Sequence, residues 1–148
     1  MLNSRPMELR RYQTSDLDQV VALWKECGLT TAANNPYRDI QRKTADSPEL
    51  FFVGEEQGKI VASCMAGFDG HRGWIYYLAV APSLQGKGLG ARIMRHAEKA
   101  LLDSGCPKID LMVRKTNTQM LDFYSKIGYQ SDPVVVMSKR LYDDEASD

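Results

Sequence analysis

Apolar positions along the chain repeat with two different periods, which predict strands and helices that follow one another. Alternating or continuous apolar runs predict strands, and they occupy residues 7–13, 74–80, 108–114 and 133–142. Two further runs within residues 50–68 flank a turn around Gly58 and predict a hairpin. Apolar positions spaced by three and four predict helices, and these segments occupy residues 14–28, 34–46, 89–101 and 117–128. Glycine or proline lies at most of the boundaries between them, as is typical where a helix or a strand ends.

The order of these segments predicts a fold of the α/β or α+β class. The run WIYYLAV over residues 74–80 is apolar on both faces, so we expect a central strand covered above and below. Helices would then pack on both faces of one sheet. A chain of 148 residues has the length of a single domain. We place that domain at residues 7–141, with loose termini at 1–6 and 142–148.

Composition excludes several classes of function. Lys plus Arg and Asp plus Glu both number 19, so the balanced charge does not support nucleic-acid binding. The three cysteines are odd in number and lack metal-ligand spacing, which indicates neither a disulfide framework nor a metal site. No apolar run reaches membrane length, and the first residues lack the apolar core of a signal peptide. We therefore expect a cytoplasmic protein that binds no metal, membrane or nucleic acid.

Three glycines, Gly86, Gly88 and Gly90, lead directly into the third predicted helix. A helix N-terminus attracts anions through its unpaired N–H groups, and glycines let a phosphate approach the backbone closely. A P-loop is excluded, because Ala91-Arg92 follows the last glycine instead of Lys-Ser/Thr. The dinucleotide pattern G-x-G-x-x-A is matched, but intervening residues separate it from the preceding strand. A glycine turn that binds no ligand also remains open.

Two stretches resemble motifs of the GNAT superfamily of N-acetyltransferases. The first combines Leu78-Ala79-Val80, Pro82 and the run from Gln85 to Gly90, and it is similar to that family's acetyl-CoA motif. The second, NTQMLDFYSKIGY from Asn117 to Tyr129, is similar to the family's N…FYxKxGF pattern. Both occur in the family's order, and the resemblance extends over about residues 7–141. Shorter stretches resemble a small bacterial branch, the YpeA-like acetyltransferases, at residues 69–73, 76–78 and 105–109.

The resemblance implies a GNAT fold, which is a central mixed, mostly antiparallel sheet of six to seven strands with helices on both faces. Strands four and five would splay apart at a bulge in strand four, and the pantetheine arm of acetyl-CoA would lie in the gap. The diphosphate would lie on the glycine loop. The residues that the resemblance places against the coenzyme are Leu78, Ala79, Val80, Gln85, Gly86, Lys87, Gly88, Leu89, Gly90, Ala91, Asn117 and Tyr124.

The resemblance also implies direct transfer of an acetyl group from acetyl-CoA to a primary amine. Tyr124 would give a proton to the departing thiolate, and the backbone amide of Leu78 would polarise the thioester carbonyl. Helix packing is the alternative role of Tyr124. We expect Tyr76 to pack in the core, with positioning of a water or of the amine as its second role. A non-catalytic acyl-CoA-binding module of the same fold is the alternative function.

The general base is the part of the resemblance that this sequence does not match. Many relatives place a Glu on strand four, but the run over 74–80 contains no carboxylate. Tyr76, His71, Glu55 or a chain of waters would then replace it. Without a strong base, the site would favour an amine of low pKa. An α-amine has a pKa of about 8, against about 10.4 for a lysine side chain.

The acceptor is expected on the open side of the sheet, where the resemblance places residues 30–35, the second helix and the turn at 69–73. Arg38 and Arg42 on that helix suit an acidic acceptor, or they form a solvated charged face. The expected partners are acetyl-CoA and an amine-bearing small molecule or peptide. The chain would be a monomer or a homodimer.

Overall fold

The computed structural model describes residues 6–144 and shows one mixed sheet with helices on both faces. The strands are β1 (Glu8–Arg11), β2 (Phe51–Glu56), β3 (Lys59–Phe68), β4 (Gly73–Val80) and β5 (Ile109–Leu111). The helices are α1 (Leu17–Glu26), α2 (Pro36–Asp46), α3 (Leu89–Asp103) and α4 (Thr118–Lys126). Within residues 6–144, every helix falls short of the length and apolar content that a bilayer-spanning helix needs.

The five strands lie side by side in chain order, β1-β2-β3-β4-β5. The first three pairings are antiparallel, and β4 pairs with β5 in parallel. The mixed and mostly antiparallel character that we expected is therefore confirmed. The number of strands is not, because residues 6–144 form five strands instead of six to seven.

Two apolar layers cover the sheet, one on each face, as the two-sided pattern of β4 predicted. On one face α3 and α4 pack on the sheet, with buried residues that include Phe52, Cys64, Ile75, Ile93, Met94, Leu101 and Tyr124. On the other face α1 and α2 pack, with buried residues that include Val20, Trp24, Ile40, Phe51, Val53 and Met65. Removing this apolar surface from water is the main favourable contribution to folding.

The strand predicted over residues 133–142 is absent, and this prediction was wrong. The segment has no regular secondary structure, and the large apolar side chains that it exposes are Val134, Val135, Val136, Met137, Leu141 and Tyr142. Four consecutive β-favouring or apolar residues suit a strand, but a strand also requires a neighbour to pair with. In the described chain the last strand of the sheet, β5, ends at Leu111 after three residues. Local propensity is therefore not matched by a pairing partner in the described chain.

Ion pairs hold this segment at both ends. Asp132 accepts a hydrogen bond from Lys108 at 3.0 Å. Asp144 receives two hydrogen bonds from the guanidinium of Arg42, at 2.9 and 2.7 Å. Within the predicted loose termini, residues 1–5 and 145–148 lie outside the described residues, whereas Asp144 contacts α2 through Arg42.

Candidate active site

A bulge interrupts the pairing of β4 with β3. Ser63 pairs with Ala79 and Met65 pairs with Tyr76, so Tyr77 and Leu78 together face the single residue between Ser63 and Met65. Tyr77 has φ of +52°, in the left-handed region that costs a non-glycine residue roughly 1–2 kcal/mol. Such strain persists only where surrounding contacts enforce it, and it concentrates at functional sites.

The other edge of β4 is open beyond its first residues. Pairing with β5 joins Gly73–Ile75 to Ile109–Leu111 and ends there. In the described chain, no further strand pairs with residues 76–80 on this side. β4 and β5 therefore part after three paired residues, and Leu78, Ala79 and Val80 lie along the unpaired edge of β4. The splayed gap that we expected between these two strands stays a prediction. Leu78 and Val80 face the α3 and α4 layer.

The glycine loop joins the end of β4 to the start of α3. The side-chain amide of Gln85 donates to the carbonyl of Val80 at 3.0 Å, which holds the loop against the strand. Gly86 and Gly88 have φ of +80° and +83°, a conformation that glycine adopts without steric cost. A Cβ built on either residue would meet no atom within 4 Å. The space in front of both is therefore open to a ligand.

The start of α3 presents free backbone donors at this loop. Gly88 is the N-cap, and no side chain caps the helix. The first amide with a partner in the helix is that of Arg92, which donates to the carbonyl of Gly88 at 3.1 Å. The preceding amides, over residues 89–91, and the positive end of the helix dipole can therefore hold an anion. Lys87 is exposed beside them.

The structural role of Gly90 differs from that of Gly86 and Gly88. A Cβ there would lie 3.2 Å from two ring atoms of Phe123 on α4. The absence of a side chain lets α3 and α4 approach each other, which brings the next residue of α4, Tyr124, under the sheet.

Tyr124 lies in the core below the bulge. It is 8% exposed, and its ring makes edge contacts with Phe123 and Tyr129, with centroids 5.1 and 5.6 Å away. Burial raises the pKa of Tyr124, and charge on Cys64, which faces the bulge, adds to the effect. The phenol is thus protonated at neutral pH. Both predicted roles of Tyr124, packing and proton donation, are compatible with this position.

The hydroxyl of Tyr124 is nevertheless in contact with solvent. It makes no hydrogen bond with any residue between 6 and 144, and in this range no polar side-chain atom is both sealed from solvent and without a partner. A protonated phenol that contacts solvent can give a hydrogen bond or a proton to a ligand that reaches it.

Asn117 marks the start of α4. Its side-chain oxygen accepts the backbone N–H of Met120 at 3.2 Å, which makes Asn117 the N-cap of the helix. Such caps typically stabilise a helix by about 1 kcal/mol. The contact of Asn117 with the coenzyme stays a prediction.

Tyr76 does not pack in the core, contrary to the sequence expectation. The bulge changes which face its side chain occupies, so it is 44% exposed and stacks on Trp74 with ring centroids 6.5 Å apart.

His71 lies in the exposed turn, where Asp69 accepts its backbone N–H at 2.8 Å. Glu55 lies on β2, with β3 between it and β4, and it contacts Arg10 at 3.5 Å. Of the three base candidates that are residues, only Tyr76 lies on β4.

A carboxylate reaches β4 from α2, which the sequence analysis missed. The Tyr77 hydroxyl donates to Asp39 at 2.5 Å, and Arg42 contacts the other carboxylate oxygen at 2.7 Å. Burial is the largest cause that raises the pKa of Tyr77, and the hydrogen bond to Asp39 raises it further. Asn35 sets the start of α2 by accepting the N–H groups of the residues that follow. The spacing of Asp39 and Arg42 placed them on one face of a helix, but no sequence signal joined either to Tyr77.

The cysteines and other metal-ligand residues form no cluster at this site. Cys27, Cys64 and Cys106 are free thiols, and complete burial raises the pKa of Cys64 to about 12. Within residues 6–144, no group of three or more His, Cys, Asp or Glu side chains is arranged to hold a metal ion.

Comparison with known proteins agrees with this geometry. The model of the acetyltransferase (GNAT) family matches residues 17–129. An acetyltransferase of Yersinia enterocolitica is 42% identical over 139 residues, which are 94% of this chain and 99% of the relative.

Two solved structures share the fold. AAC(6')-Iy, in complex with the bisubstrate analogue CoA-S-monomethyl-acetylneamine, superposes with a TM-score of 0.77 at 14% identity, over 92% of this chain and 99% of that one. Naa20 from Chaetomium thermophilum, also in complex with a bisubstrate analogue, gives a TM-score of 0.68 at 27% identity, over 83% and 70% of the two chains. The open β4 edge, the glycine loop and the matched family model lead to one conclusion: the chain belongs to the GNAT family of acetyltransferases.

Proposed function

We propose that this acetyltransferase takes its acetyl group from acetyl-CoA and transfers it to a primary amine, within a single domain over residues 7–141. The observation that carries the proposal is the open edge of β4, which lies directly beside an uncapped helix N-terminus. An extended arm fits the open edge of β4, and a diphosphate fits the helix N-terminus. Coenzyme A contains both groups, separated by a pantetheine chain.

The glycine loop would hold the diphosphate through the amides of residues 86–91, with Gln85 and Lys87 at its rim. Asn117 would contact the coenzyme from the start of α4. The pantetheine arm would lie along Leu78, Ala79 and Val80 in the gap. An anion at a helix N-terminus gains about 0.3–2 kcal/mol per charge interaction, so several amides have to act together. The open space in front of Gly86 and Gly88 supports this placement.

Catalysis would rest mainly on holding the two reactants in contact, which is worth up to about 7–11 kcal/mol. The amide of Leu78 would polarise the thioester carbonyl. Tyr124 would donate to the sulfur as the thiolate departs. Its raised pKa keeps the proton in place until the sulfur, with an ordinary thiol pKa near 8.5, develops charge.

The acceptor would approach from the face of α1 and α2. The exposed ring of Tyr76 borders the bulge on that face, so Tyr76 would position the amine or a water. No carboxylate lies on β4, and Asp39 is engaged by both Tyr77 and Arg42. An acceptor that loses its proton easily is therefore favoured, and we propose an α-amine over a lysine side chain.

Two measurements test this proposal on the wild-type protein. Calorimetry with CoA and, separately, with NAD measures which coenzyme binds. A thiol-release assay with acetyl-CoA then compares α-amines of amino acids and short peptides with the ε-amine of Nα-acetyl-lysine at pH 7. We expect saturable CoA binding, no NAD binding, and faster thiol release with α-amines.

The outcomes separate the parts of the proposal. Absence of CoA binding would refute it entirely. CoA binding without amine-dependent thiol release across the panel would favour the non-catalytic acyl-CoA-binding module. Faster release with Nα-acetyl-lysine would contradict the acceptor class alone.

A further inference from the structure

Tyr77 is held in its left-handed conformation by contacts on three sides. Its ring stacks on Trp24 with centroids 3.7 Å apart and planes within 8°. Its hydroxyl donates to Asp39, and its backbone carbonyl accepts the hydroxyl proton of Ser63 at 2.8 Å. The other non-glycine residue with positive φ in the described chain, Gln57, lies in the turn between β2 and β3. Of these two residues, Tyr77 is the one that lies inside a strand.

Ser63 and Trp24 form a sealed hydrogen-bond chain that ends on this carbonyl. Both side chains are 0% exposed. The indole N–H of Trp24 donates to the Ser63 oxygen at 2.8 Å. A serine hydroxyl has a single proton, so accepting from Trp24 leaves that proton for Tyr77. Buried polar groups of this kind are costly to leave unpaired, and the direction of the chain is therefore fixed.

The fixed carbonyl sets the direction of the next amide. The peptide bond between Tyr77 and Leu78 is planar and trans, so its C=O and its N–H point in opposite directions. Ser63 lies on β3, on the closed side of β4. The carbonyl of Tyr77 points to that side, and the N–H of Leu78 consequently points away from β3, toward the open edge.

We propose that Trp24, Ser63 and Tyr77 form a clamp that aims the Leu78 amide into the gap between β4 and β5, where the arm and thioester of acetyl-CoA would lie. This inference rests on the proposed function. None of the three side chains touches the coenzyme in this arrangement. They are positioning residues, and they act through the backbone of β4 from the opposite layer of the protein.

Variants that break the clamp at different points test it. Ser63→Ala removes the donor to the Tyr77 carbonyl. Trp24→Phe keeps an aromatic ring against Tyr77 but removes the indole N–H, so Ser63 is free to rotate. Val20→Ala is the matched control, because Val20 is fully buried in the same layer and takes part in none of the hydrogen bonds or ring contacts of the clamp. It loses packing without changing the hydrogen-bond chain.

The measurements are CoA affinity by calorimetry, the melting temperature, and hydrogen exchange of the amides over residues 77–80. Only the protein population with the correct amide direction binds, so apparent affinity falls with that population. We expect CoA binding to weaken on the order of tenfold in Ser63→Ala and about threefold in Trp24→Phe. Exchange over 77–80 should rise in both. In Val20→Ala the melting temperature should fall while CoA affinity stays within about twofold.

Each possible result supports or refutes the clamp. If wild type binds CoA and both clamp variants bind it as Val20→Ala does, the clamp is refuted while the proposed function stands. If Ser63→Ala does not fold, Trp24→Phe decides by the same comparison. If wild type does not bind CoA, the proposed function fails. The clamp is then judged by hydrogen exchange alone, and exchange over 77–80 equal to that of Val20→Ala overturns it.

Discussion

Replacing Gly88 with alanine tests whether the glycine loop holds a ligand. Gly88 is the N-cap of α3 with φ of +83°. A Cβ there meets no protein atom within 4 Å, so the substitution creates no clash inside the protein. It has two effects instead. Alanine disfavours the left-handed conformation, and its methyl group occupies the space where we place the diphosphate.

The expected loss of CoA affinity in Gly88→Ala follows from the backbone conformation of residue 88. A left-handed alanine costs roughly 1–2 kcal/mol, which corresponds to a factor of about 5 to 30 in an equilibrium constant. The loop is exposed from Gln85 to Gly88, so it can relax away from the binding conformation. Affinity for CoA should then fall by about this factor, and by more where the methyl group also meets the phosphate.

Gly105→Ala is the matched control. Gly105 follows the other end of the same helix, with φ of +90° and open space around a Cβ. Its strain is the same, but it lies far along the chain from the glycine loop. We expect a comparable fall in melting temperature for Gly105→Ala and no change in its CoA affinity.

Calorimetry with CoA and thermal denaturation of wild type and both variants provide the comparison. The reasoning would fail if Gly88→Ala bound CoA as tightly as Gly105→Ala at equal loss of stability. Gly88 would then be required only for the turn into α3.

Three further predictions test other parts of the structure. Tyr124→Phe should lower kcat by about tenfold or more with CoA affinity unchanged, and steady-state kinetics with unchanged kcat would remove its donor role. Burial, with a smaller contribution from Lys99, lowers the pKa of His96 in the folded protein, so the unfolded chain binds more protons than the folded one. The free energy of unfolding should therefore fall as pH drops below about 6.5. Denaturation of His96→Gln should show a smaller fall over the same pH range than wild type. Val135 is 86% exposed, so Val135→Lys should leave the melting temperature unchanged, whereas a large decrease would indicate that residues 133–142 pack as a strand.

Local patterns were sufficient for most helices and strands and for the glycine loop. Apolar spacing predicted the helix over residues 89–101, where α3 lies, because helix periodicity depends on residues close in the chain. The position of Tyr124 also followed from a local motif. The same kind of signal failed at residues 133–142, where a run of valines predicted a strand that has no partner in the described chain.

The amino-acid order alone was enough for the family, for the order of the elements as far as α4 and for the glycine turn before α3, because each depends on neighbours within a few residues. Folding in three dimensions decided the register of β4 against β3. One extra residue there exposes Tyr76, turns Tyr77 toward Trp24 and Asp39, and aims the next amide at the gap. Register is a relation between segments far apart in the chain, and a shift of one residue reverses the faces of the side chains that follow. No local pattern carries that information, so the contacts that surround the site could be found only in the folded protein.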